Sequence, residues 1–146
     1  MVSYSELFAE FRGNPPASHA VITRYQADLR FRLPSDYVKF LQRMNGGQGF
    51  VGQNYLMAWR IDELVRTNRN YLVEEAAPEL FLFGSDGGGE AFAFDTRSTP
   101  PVVVMVPFIG MELSTAIPIG RSFDEFLQNL YGSDSLFDCR LPPYSS

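Results

Sequence analysis

Apolar residues recur at helical spacing through the first half of the chain and shift to a strand-like rhythm in the second. Ser3 with Glu6 reads as a capping box, after which Tyr4, Leu7, Phe8 and Phe11 share one face of a short helix ended by Gly13 and Asn14. Pro15 and Pro16 break the chain. Ser18 is placed to cap a second helix reaching about Leu29, with Val21, Ile22, Tyr25 and Leu29 as its buried stripe. Pro34 suits the first turn of a third helix, in which Tyr37, Phe40, Leu41 and Met44 repeat until Asn45, Gly46 and Gly47 stop it. Tyr55 to Trp59 reads as a short strand, and Ile61 opens a longer helix with Leu64, Val65 and Leu72 on its apolar face. Asn68 falls within that face, about 20° from Ile61 at roughly 100° per residue, so its amide is expected to point inward and find hydrogen-bond partners.

Beyond Pro78 the period changes to that of a sheet. Leu80 to Phe83, Ala91 to Asp95 and Val102 to Val106 are short runs rich in aromatic and β-branched residues, and Ile117 to Ile119 is a candidate fourth. The stretch from Gly84 to Gly89 is too short for a crossover helix, so the first two runs should form an antiparallel hairpin. Phe92 and Phe94 alternate with Ala91 and Ala93, which puts large side chains on one face, where helices should cover them. Ser122 and Glu125 form a second capping box, followed by Phe123, Phe126, Leu127, Leu130 and Tyr131 and a stop at Gly132. The expected fold class is α+β, an antiparallel sheet of about four to six strands flanked by helices. At 146 residues the chain suits one domain, 1–146, with a core from about 18 to 132 and a loose tail or partner arm over 133–146.

Composition narrows the chemistry. One cysteine, Cys139, and one histidine, His19, exclude an internal disulfide, a multi-cysteine metal cage and a site built from several imidazoles. Neither Cys139 nor His19 has a recognisable companion, and their separation of 120 residues neither supports nor forbids a Cys–His nucleophile. No cofactor or metal site is expected, and no catalytic residue. The N-terminus has no signal-like pattern and no stretch approaches bilayer-spanning length, which predicts a cytoplasmic protein without a membrane partner. Charge is divided along the chain: residues 1–73 carry nine Arg and Lys against six Asp and Glu, whereas residues 74–146 carry three against eleven. So acidic a half would repel phosphate backbones and attract basic surfaces, which argues against direct nucleic-acid binding and for a protein partner; ordinary solubilising charge is the plainer reading.

Each local motif has an ordinary structural explanation. The run SDGGGE exposes backbone N–H groups, but no Lys follows and Glu90 opens a strand where a phosphate would need a helix, so it reads as a hairpin turn. The pairs Asp62-Glu63, Glu74-Glu75 and Asp124-Glu125 sit on predicted helices, where neighbours diverge by roughly 100° and cannot converge on one substrate atom. Trp59 with Arg60 could be an exposed recognition pair or simply a Trp packed at the domain edge.

The segments LPSDYVKFLQRMNGG, YLMAW, IDELV, LFLFGSDGGGEAFAFD and AIPIGRSFDEFLQNLYG follow one another in an order and spacing that resembles the SUKH superfamily, over about Ser18 to Gly132. That superfamily groups bacterial polymorphic-toxin immunity proteins with a yeast regulator of cell-wall synthesis. The resemblance implies an antiparallel sheet flanked by helices, no enzymatic activity, and a cytoplasmic antidote that binds a cognate toxin domain, often a nuclease. Two positions depart from the pattern: Gln26 stands where a Glu is usual, and Arg30 where a Gly is usual.

Three functions remain open. A toxin-neutralising module would use Asp86, Glu90 and Glu112 for charge contacts and Trp59, Arg60 and Arg97 as anchors. A regulatory or scaffolding domain would bind a host protein. A small-ligand binder would need a pocket with convergent polar groups. The oligomeric state is open.

Overall fold

A computed structural model describes residues 1–142. The elements run α1 (Tyr4–Leu7), β1 (Glu10–Gly13), α2 (His19–Gln26), α3 (Ser35–Arg43), β2 (Gly47–Val51), β3 (Asn54–Ala58), α4 (Leu64–Asn70), α5 (Val73–Ala76), β4 (Leu80–Ser85), β5 (Glu90–Asp95), β6 (Val102–Pro107), β7 (Ile117–Gly120) and α6 (Phe123–Gly132). Single 3-10 turns add Ile61–Glu63, Leu113–Thr115 and Leu136–Cys139. The seven strands form one antiparallel sheet in chain order, β1 to β7, so every strand pairs with its sequence neighbours.

The alternation expected of the second half is present and sorts the core into two layers. Phe81, Phe83, Phe92, Phe94, Val103 and Met105 face one side, where Ile22, Tyr37, Phe40, Phe123, Phe126 and Leu130 from α2, α3 and α6 cover them. The rings of Tyr37, Phe83, Phe94 and Phe123 lie 4.5–6.4 Å apart in edge, stacked and tilted pairs, the arrangement that aromatic quadrupoles favour. The opposite side carries Leu80, Leu82, Ala91, Ala93, Val104 and Val106, and it is buried too, under Val73 and Ala77 around α5 and Met111 of the β6–β7 loop. Small side chains there let a single turn of helix and a loop approach the sheet closely.

Two strands are additional to the expected set. Residues 10–13, read as the end of a helix, form β1, because α1 closes after Leu7 and the Phe11 amide turns back onto the Phe8 carbonyl at 3.1 Å. Residues 47–51, read as a helix stop, form β2 against it. Gly47 has φ +150°, and a Cβ there would come within 2.7 Å of the Phe11 ring. Its glycine is a seat for an aromatic on the next strand as well as a breaker.

Other differences are local. Helix α2 ends at Gln26, and Val21, expected in its buried stripe, is exposed. The helix opened by Ile61 is split by Leu72, which sits in the left-handed region at φ 55° and is exposed, not on the apolar face. The segment after α6, expected to be loose, is packed as far as Leu141: Cys139 is buried, and the Leu141 amide donates to the Pro118 carbonyl at 3.0 Å. The remainder of that tail, 143–146, lies outside the described residues.

Both departures from the superfamily pattern have structural tasks. The Gln26 amide donates to the Phe31 carbonyl and accepts from the Leu33 amide, each at 2.8 Å, fixing the α2–α3 loop; a Glu could do only the second. Arg30 donates to the Leu80 carbonyl at 2.8 Å and pairs with Glu74 at 3.5 Å.

Candidate functional site

The β4–β5 turn is built by one side chain. Asp86 Oδ1 accepts from the Gly88 amide at 2.8 Å and the Glu90 amide at 3.1 Å, while the Asp86 amide donates to the Glu90 carbonyl at 3.0 Å. Gly87 supplies the positive φ of +82° that the turn needs, and the Gly87 amide goes to Ser85 Oγ. The amides of Gly87, Gly88 and Glu90 are thus taken within the turn, which favours the hairpin reading of SDGGGE over a phosphate cradle.

Glu90 begins β5 opposite Pro107, the last residue of β6. Burial and then the neighbouring Asp86 carboxylate push its carboxyl above the usual range. The β6–β7 loop leaves from the same end of the sheet, tied to the hairpin by the Phe108 amide donating to the Gly89 carbonyl at 3.0 Å. Met111 anchors this loop in the second core layer with Leu113 packed beside it, leaving Glu112 exposed ahead of the 3-10 turn Leu113–Thr115. Asp86, Glu90 and Glu112 therefore share one end of the sheet, and none has an ion-pair partner among the described residues.

The three other sequence candidates lie elsewhere. Arg97 follows β5 at the opposite end of the sheet, about 20 Å away at strand rise. Its guanidinium is held bidentately by Asp95, with contacts of 3.0 and 2.7 Å. Burial pushes Asp95 up, but its hydrogen bonds with Arg97 outweigh this and leave its carboxyl below the usual range. Arg60 is likewise engaged by Asp62 at 3.1 and 3.2 Å and by Glu63 at 3.8 Å; the Arg60 hydrogen bond holds Asp62 low. Trp59 is half-buried between the two core layers and its amide donates to the Phe83 carbonyl at 3.0 Å, matching the packed-Trp reading. The acidic candidates lie toward one end of the sheet; the anchors do not.

Apolar neighbours of the acidic end escaped the sequence reading. Ile109, at the tip of the β6–β7 loop before Gly110 at φ +72°, is 93% exposed. Next to it Phe108 packs against Tyr71 with ring centroids 4.6 Å apart. A signal was available: large apolar residues beside a turn glycine, where polar ones are usual, in the run Pro-Phe-Ile-Gly.

A separate cleft of about 230 Å³ lies between the α2–α3 loop and α4, lined by Leu29, Arg30, Asn68, Arg69, Leu72 and Phe81 among others. The Asn68 amide is bonded to backbone and Arg30 to Leu80 and Glu74, so these polar groups serve the fold. Among the described residues no three His, Cys, Asp or Glu side chains are grouped to hold a metal, and no helix is long and apolar enough to cross a membrane.

No curated protein matches the chain. The family model described as SMI1 / KNR4 family (SUKH-1) matches residues 16–129. That span holds every strand but β1, the second core layer, most of the aromatic layer and most of α6, and the chain therefore belongs to the SMI1 / KNR4 family (SUKH-1).

Proposed function

We propose that this chain is a non-catalytic protein-binding module that neutralises a cognate toxin domain by covering a basic surface, such as the nucleic-acid cleft of a nuclease, with its hairpin end. Membership of the SMI1 / KNR4 family supports a module of the immunity or cell-wall-regulator kind. The observation that carries the finer reading is the grouping of Asp86, Glu90 and Glu112 without internal cations, whereas Asp62, Asp95 and Glu125 are paired with arginines. Three carboxylates at one end of the sheet with no internal cation present a charge that a cationic partner can complete. Their fixed backbone settings reduce what must be ordered on binding.

The test is binding and protection with the toxin domain encoded by the adjacent reading frame. Wild-type protein should form a complex and suppress the toxin's activity, and the double variant Glu90→Lys, Glu112→Lys should associate roughly ten-fold more slowly with a weaker dependence on salt. Absence of any complex would reject the neutralising role. An unchanged association rate would reject the placement of the site.

A further inference from the structure

The acidic end holds an apolar element that charge does not explain. Ile109 is 93% exposed although the loop around it is well fixed. On one side Phe108 is held by its amide on Gly89 and by its ring against Tyr71. On the other, Gly110 makes the turn and Met111 is buried in the second core layer. A β-branched side chain presented this way has few rotamers to lose and no intramolecular surface to cover. Tyr71 is also exposed, at 47%, so the apolar area continues beyond the tip, and the exposed Glu112 follows in the same loop. An apolar centre with a charged rim is the anatomy of a protein-binding patch.

We infer that Ile109, backed by the Tyr71–Phe108 pair, is a preformed knob that enters an apolar socket on a partner whose surrounding surface is basic. The choice of a basic partner rests on the three unpaired carboxylates at the same end of the sheet, and so on the function proposed above. Two contributions follow from two chemistries. The carboxylates act at a distance and govern the rate of encounter; the knob acts only after contact and governs how long the complex lasts.

Association and dissociation of the adjacent-frame toxin domain, in a catalytically inactive form, would be followed by surface-immobilised kinetics with full-length protein. Ile109→Ala should dissociate about ten- to thirty-fold faster with its association rate little changed. Ile109→Leu should stay within about threefold of wild type. Both variants should melt at the wild-type temperature, since the side chain has nothing to lose in the folded monomer. A complex that forms normally and ignores Ile109→Ala overturns the knob while leaving the neutralising role standing; no complex with wild type overturns both. Sedimentation of the protein alone supplies a third outcome: self-association abolished by Ile109→Ala would assign the patch to a second copy of the chain and overturn the inference.

Discussion

The side-chain amide of Asn68 pairs with the backbone of Leu82 as a neighbouring strand would: Nδ2 donates to the Leu82 carbonyl and Oδ1 accepts from the Leu82 amide, both at 2.9 Å. Strand β3 pairs with β4 only at Met57–Ser85 and Ala58–Gly84 before the chain leaves the sheet. Below that point the edge of β4 would carry unmet backbone groups under α4, and Asn68 supplies the donor and the acceptor.

Asn68→Leu should therefore destabilise the protein by about 1–3 kcal/mol, because it strands a buried amide and carbonyl. Asn68→Asp should also lose stability, since a carboxylate cannot donate to Leu82. Urea unfolding measures both; a midpoint unchanged in each would show that the edge is satisfied in some other way.

Tyr37 presents the opposite case. Its ring is fully buried among Phe40, Phe83, Phe94 and Phe123, and its hydroxyl finds no hydrogen-bond partner among the described residues. Burial raises its pKa strongly, so the hydroxyl stays protonated. Tyr37→Phe should raise stability by on the order of 1 kcal/mol in thermal or urea unfolding. A loss of similar size would reveal a partner for the hydroxyl.

Glu90 makes stability depend on pH with a definite sign. Its folded pKa lies above the unfolded value, so the folded state binds the proton more tightly. The resulting penalty is absent below the unfolded pKa and grows as pH rises through the interval up to the raised folded one. Glu90→Gln should flatten that dependence and stabilise the isolated protein at neutral pH. A cationic partner would favour the carboxylate again, so complex formation should release protons. Calorimetry in buffers of different ionisation enthalpy would detect the release, and its absence would separate Glu90 from the interface.

Cys139 should be a poor nucleophile in the folded protein. The residue is buried, and this burial pushes its thiol above the ordinary value. Alkylation at pH 8 should be slow until denaturant is added; rapid labelling of native protein would mean that the segment after α6 opens readily.

The legible part of the fold was the part with one dominant pattern. Alternation of Phe92 and Phe94 with alanines, the helical repeat from Tyr37 to Leu41, and the inward angle of Asn68 each had a single structural reading, and the structure agrees. Strands β1 and β2 were hidden because the contacts that favour a glycine are between chain-distant residues: the Arg12 carbonyl and the Phe11 ring leave no room for a Cβ at Gly47, whereas propensity alone marks a stop there. The same limit applies to the candidate site. Asp86, Glu90 and Glu112 were readable as acidic loop residues, but only three-dimensional pairing separates them from Asp62 and Asp95, whose charges are already met by Arg60 and Arg97.

Strict chain-order pairing of the strands has a consequence for how the molecule is made. Each new strand leaving the ribosome can dock on the one before it, and the longest closures in sheet growth are β1 to β2 across α2 and α3 and β3 to β4 across α4 and α5. The aromatic layer does not share this advantage, because Phe123, Phe126 and Leu130 of α6 emerge only after all seven strands. Until then the rings of Phe83, Phe92 and Phe94 lack their lid, and nascent chains halted before residue 123 should be the ones that bind chaperones and aggregate.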